Sequence, residues 1–133
     1  MKFLSTAVML TMFSATHLSA DGFTETKCPD ITDISYDETL ALYQARLPET
    51  GLTIKSMPNE NVGTIERFDS VFLDHINHIF VHCVYRLGND DPVVLWPSDP
   101  IQAEKNDSNL WMPFLNYHYC TESPSMCIFN VQE

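Results

Sequence analysis

Four cysteines, Cys28, Cys83, Cys120 and Cys127, constrain this 133-residue chain more than any other feature. An even number of cysteines in a short chain with an export leader reads as a disulfide framework. Three pairings are open. Only six residues, Thr-Glu-Ser-Pro-Ser-Met, separate Cys120 from Cys127, and they include a proline that turns the chain back, so the favoured pairs are Cys28 with Cys83 and Cys120 with Cys127. In the chain-entropy picture the long loop contributes about 4 kcal/mol and the short one about 2.5 kcal/mol, before strain. A chain this small buries a modest share of its surface and benefits from both. A zinc site is the competing use, but the sequence has no CxxC pair and export favours oxidation.

The leader itself is legible. Lys2 is followed by an apolar run from Phe3 to Phe13 and then by small residues at Ser19 and Ala20, the three regions of a cleavable signal peptide. The run is far shorter than the ~20 residues that span a bilayer, and polar Ser14, Thr16 and His17 follow it. No cysteine follows the cleavage point, which disfavours a lipid anchor. The expected organisation is a signal peptide over 1–20, cleaved near Ala20, and one disulfide-stapled domain over 21–133, secreted or periplasmic.

Charge narrows the partners. All eighteen acidic residues lie beyond the leader, and loss of Lys2 leaves six of the seven basic ones, a formal charge of 6 minus 18, or −12. Such a surface repels nucleic-acid phosphates and anionic lipid head groups, so neither nucleic acid nor membrane is expected as a partner after cleavage. A cationic protein fits, and so does plain solubility. The oligomeric state is left open.

Along the chain, Ser35 to Leu47 reads as a short helix, with Ser35 as N-cap, early acids, Leu40, Tyr43 and Leu47 at helical spacing, and Pro48 as terminator. Leu52 to Ser56 reads as a brief strand before the turn-rich Met57 to Gly63. From Ile79 a period-two alternation sets Ile79, Val81, Cys83, Tyr85 and Leu87 against Phe80, His82, Val84 and Arg86. A helix would instead group Phe72, Ile76, Ile79, Phe80 and Cys83, but enrichment in Val, Ile, Phe and Tyr favours strands. Phe68–Leu73 and Ile79–Leu87 then pair across a turn at His75–His78, Gly88–Pro92 turns again, and Val93–Trp96 completes a meander. Ser98 to Asn109 reads as a polar loop, and two last strands, near Tyr117–Cys120 and Cys127–Val131, are clasped by the short disulfide. The fold class is α+β and β-rich: an antiparallel meander with one short helix and two disulfides.

Candidate chemistry is sparse. His75, His78 and His82 share a face if helical, a spacing that suits a metal site, whereas in strands His75 falls beyond the turn. Asn77 and Ile76 stand where an HExxH motif needs its Glu. Asp90-Asp91 lies in a turn, where Asp is favoured for backbone reasons. Neither a calcium loop, a Gly-x-Ser-x-Gly elbow nor a phosphate-binding glycine loop occurs. Asn106-Asp-Ser108 matches a glycosylation sequon, relevant only in a eukaryotic pathway. No cofactor is expected. Trp96, Trp111, Tyr117 and Tyr119, with Phe114, gather in the last third; such residues anchor interfaces, or else fill a core.

The order Cys28-Pro29, Cys83-Val-Tyr85, Trp111, then Cys120-x6-Cys127-x-Phe129, with Phe68, resembles a family of small exported bacterial proteins catalogued only as a domain of unknown function. The resemblance covers most of 28–129 and implies a bacterial source, export and a β-rich fold. It brings no activity and no catalytic residues, and the acidic stretch from Asp37 to Gly63 departs from its pattern. The reading therefore favours a non-enzymatic secreted binding or effector protein. The alternatives are an inhibitor of a cationic hydrolase, lysozyme-like or protease, and a small metal-binding protein or hydrolase using His75, His78 and His82.

Overall fold

β-branched and aromatic residues at alternate positions make strands wherever one side can be buried, and they dominate the longest of the eleven strands found among the described residues, Ile65–Asp74 and Ile79–Leu87. The computed structural model describes residues 22–133; the leader and its cleavage point near Ala20 lie outside the described residues. The strands are β1 Thr24–Thr26, β2 Ser35–Asp37, β3 Leu42–Arg46, β4 Thr53–Lys55, β5 Ile65–Asp74, β6 Ile79–Leu87, β7 Pro92–Pro97, β8 Gln102–Lys105, β9 Met112–Phe114, β10 Tyr117–Cys120 and β11 Phe129–Gln132. Every pairing is antiparallel.

Strand β6 is the hub. One edge pairs with β5 along its length, while the other pairs with β7 from Cys83 to Arg86 and meets β8 at Ile79–Gln102. Beyond β7 the order runs β4, β3, β2; beyond β8 it runs β11, β1; and β5 carries β10 and then β9. The sheet therefore curls, and its concave side holds the core, with Leu47, Ile54, Val71, Tyr85, Val93, Leu95, Phe129 and Val131 fully buried. Two disulfides pin it: Cys28–Cys83 fastens the lead segment to β6 across 55 residues, and Cys120–Cys127 closes a span of 7 at the end of β10. Beside the first, the buried Tyr85 hydroxyl donates to the Pro29 carbonyl. The β5–β6–β7 meander and both bridges match the sequence reading.

Elsewhere the structure corrects it. The helix read over Ser35–Leu47 is the β2–β3 hairpin, and the helical element among the described residues is a three-residue 3-10 turn, Ile31–Asp33. Tyr43, Ala45 and Leu47 alternate into the core, Leu40 is exposed, and the Asp37 carboxylate accepts the Leu40 N–H to close the turn. Tyr36 packs edge-on against Tyr43 across the hairpin, ring centroids 5.0 Å apart. The polar loop read over Ser98–Asn109 contains β8, whose Ala103 is buried, and the segment ahead of Cys28 contains β1. The last two strands are clasped by the Cys120–Cys127 bridge as read, and each pairs with other strands, β10 with β5 and β9 and β11 with β1 and β8. In β6 an irregularity pairs Phe72 with His82 but Leu73 with Phe80, skipping Val81, so Phe80 rather than Val81 joins Cys83, Tyr85 and Leu87 inside.

Candidate functional site

Antiparallel register lines up side chains from neighbouring strands in rows across a face. One such row crosses five strands on the side away from the core. Tyr119 of β10 is the register partner of both Phe72 of β5 and Met112 of β9, and Phe72 is the partner of His82 of β6. Trp96 of β7 lies next to His82, one position beyond the Cys83–Leu95 pair.

The rings touch in sequence. His82 meets Trp96 edge-to-face with centroids 4.6 Å apart and Phe72 at 5.1 Å; Phe72 stacks on Tyr119 at 5.4 Å. Tyr117 and Phe114 brace the row from its sides, against Phe72 at 5.9 Å and Tyr119 at 6.3 Å. The inner members are half-buried, but the ends are open: Trp96 is 41% exposed, Met112 52% and Phe114 53%. These contacts make a stiff apolar strip, since each ring is held by its neighbours and by the strand beneath it.

At the Trp96 end the strip borders a groove of about 400 Å³. Trp96, Tyr117, Ile79 and Val81 line it together with the buried Asp74 and the exposed Asp99. Asp74 accepts the Ile76 and Asn77 backbone N–H groups at 2.9 and 3.0 Å and the Asn77 side-chain amide at 2.9 Å. The hydrogen bonds from Asn77, chiefly, hold its carboxyl below the usual carboxylate range, so it stays charged.

Three of the four aromatic binding candidates, Trp96, Tyr117 and Tyr119, thus meet on one face. The fourth does not. Trp111 is buried, its ring edge-on to Phe129 at 6.4 Å and its indole N–H donating to Asn106 Oδ1 at 3.0 Å, so it is a core residue. Phe114, grouped with them in the sequence, joins the same face, whereas Phe72, His82 and Met112 carry no sequence signal of a surface, because each becomes part of one only through long-range pairing. The exception is the His82–Trp96 contact, which a register count from the Gly88–Pro92 turn reaches.

The histidine trio is divided. His75 and His78 line a cleft of about 310 Å³ with His118, Glu104 and Lys105, on the opposite side of β10 from Tyr117 and Tyr119. His82 is away from them in the aromatic row, because the β5–β6 turn separates it from His75 and the strand's pleat directs it to the other face. Among the described residues no three His, Cys, Asp or Glu side chains converge as a metal site. His75 and His118 bring their rings to 4.5 Å, and burial, then the charges of His75 and Lys105, lower the pKa of His118. His82 is pushed down to about 4 by burial, and its Nδ1 is buried with no hydrogen-bond partner. It serves in the row as a neutral ring.

Compared with protein-family models, curated proteins and solved structures, the chain matches none of them. The site's own geometry therefore carries the functional argument. The strip offers π faces and a thioether, exposed at both ends, and at the Trp96 end it adjoins a groove lined by two carboxylates.

Proposed function

We propose that this chain is an exported, non-enzymatic binding protein, of the bacterial kind its cysteine and aromatic pattern resembles, and that it holds a cationic protein against the aromatic row. The single observation that carries the reading is the row itself: Trp96, His82, Phe72, Tyr119 and Met112 in register across five strands, with exposed ends. Aromatic residues and Met are enriched where proteins meet, and preordered rings lose little entropy on docking. The charge of −12 over residues 21–133, 18 acidic against 6 basic, steers cationic partners towards it. Two disulfides suit an oxidising compartment outside the cytosol. Among the described residues no helix is long and apolar enough to cross a membrane.

A narrower reading, inhibition of a cationic hydrolase of the lysozyme or protease kind, has its own support in the disulfide loop 121–126, where Glu122 and Met126 are exposed. The two readings differ in where contact falls.

The test is binding by the immobilised, oxidised protein to a panel of cationic, neutral and anionic proteins of similar size, with salt as a variable. The reading predicts saturable binding to cationic members, weakening as ionic strength rises, and at least a tenfold loss in a Trp96→Ser, Met112→Ser, Phe114→Ser variant. Failure of every cationic member to bind, or equal binding by the variant, would overturn it.

A further inference from the structure

The groove at the Trp96 end has the chemistry of a receptor for one kind of side chain. It is lined by two aromatic rings, Trp96 and Tyr117, by aliphatic Ile79 and Val81, and by two carboxylates, Asp74 and Asp99, with no Lys or Arg among the described residues lining it. Each part answers a part of an arginine. The methylene stem packs on Ile79 and Val81, as long cationic side chains do on apolar surface. The guanidinium lies against an aromatic wall, where a ring quadrupole attracts a cation within about 6 Å of its centroid. Its N–H fork faces the carboxylates, the acceptors it matches best.

The walls are set before any ligand arrives. Trp96 is held edge-to-face by His82, and Tyr117 by Phe72, while the Asp74 carboxylate is fixed by three hydrogen bonds within its turn. Asp74 thus supplies a fixed negative charge, and exposed Asp99 remains the adjustable partner. A neutral ligand of the same shape would fill the groove but gain nothing from the negative charge of Asp74 and Asp99. Charge complementarity selects the occupant.

We infer that the groove between Trp96 and Tyr117 is a binding slot for an arginine side chain presented by the partner protein. This rests on the cationic-partner reading and adds where one of the partner's residues goes.

Titration of the isotope-labelled, oxidised protein with a capped arginine-containing hexapeptide, followed by NMR, tests it. A peptide in which citrulline replaces each arginine is the neutral isostere. Trp111, buried and hydrogen-bonded to Asn106, is the internal reference. The expected result is a saturable shift of the Trp96 indole N–H and of the Ile79 and Asp99 amides, with the Trp111 indole unmoved. The citrulline peptide should bind at least tenfold more weakly, and Asp99→Asn and Trp96→Ala, both at exposed positions, should each weaken the arginine peptide at least fivefold. Equal shifts with citrulline, unchanged affinity in Asp99→Asn, or shifts that bypass Trp96 would overturn the slot. If the arginine peptide fails while cationic proteins still need the row, the slot falls and the binding reading stands; the converse result leaves the slot and removes that reading.

Discussion

At the scale of single residues, His82 shows most plainly how the row is built. Burial between Phe72 and Trp96 disfavours the imidazolium, so the native ring holds its proton only below about 4, whereas an unfolded chain takes it up near 6.5. Between those values the unfolded state binds more protons, and stability falls as acid is added, by up to about 3 kcal/mol for this group, then levels off below the folded pKa. His82→Phe keeps a ring between Phe72 and Trp96 and should remove this share of the slope in denaturant titrations run from pH 7 to 4; His118, also depressed, keeps its own contribution of the same sign. An unchanged slope would show that His82 titrates elsewhere. Tyr85 makes a second test. Its hydroxyl, raised in pKa by burial and by the nearby charges of Asp30 and Asp33, donates to the Pro29 carbonyl. Tyr85→Phe leaves that carbonyl unpaired while keeping the packing on Phe68, and should cost about 1–2 kcal/mol by chemical denaturation.

Elements show where the sequence was readable. The β5–β6–β7 meander could be read because alternation and the Gly88–Pro92 turn agree, and local and global preference point the same way there. In the β2–β3 hairpin they conflict. Leu40, Tyr43 and Leu47 imitate a helical stripe, but Asp37 closes a turn and Ala41 takes a positive φ of 58°, which breaks the helix and sends Leu40 to solvent. Strand β8 carries too little apolar sequence to announce itself; it is held by pairing with β11 along its length and with β6 at Ile79–Gln102, and it buries Ala103. The candidate site was legible as residue types, Trp96, Tyr117 and Tyr119, but not as a surface, since the row exists only once five strands are in register. Its edge strand β9 carries Pro113, which offers no N–H to a further strand. The bridges belong to this scale too: replacing Cys28 and Cys83 by Ala should cost about 4 kcal/mol, and replacing Cys120 and Cys127 about 2.5 kcal/mol, by calorimetry of each double variant. Equal losses would contradict the loop-length argument.

The whole molecule is a strongly acidic shell around a small disulfide-tied core. Its charges repel one another as well as attracting cations, so moderate sodium chloride should raise the melting temperature while weakening any cationic complex. Opposite responses of stability and binding to the same salt are the signature of that arrangement. In the proposed function the row would supply what charge cannot, a fixed apolar contact that discriminates among cationic surfaces.

Hydroxyl-radical footprinting of the complex with the tightest-binding cationic protein measures this most directly. Met112 and Trp96 lie in the row, whereas Met57 and Met126 are exposed outside it, and methionine and tryptophan are readily oxidised. The account predicts that Met112 and Trp96 lose reactivity in the complex while Met57 and Met126 keep theirs. Protection of Met126 with Met112 and Trp96 unchanged would contradict it and move the contact to the disulfide loop.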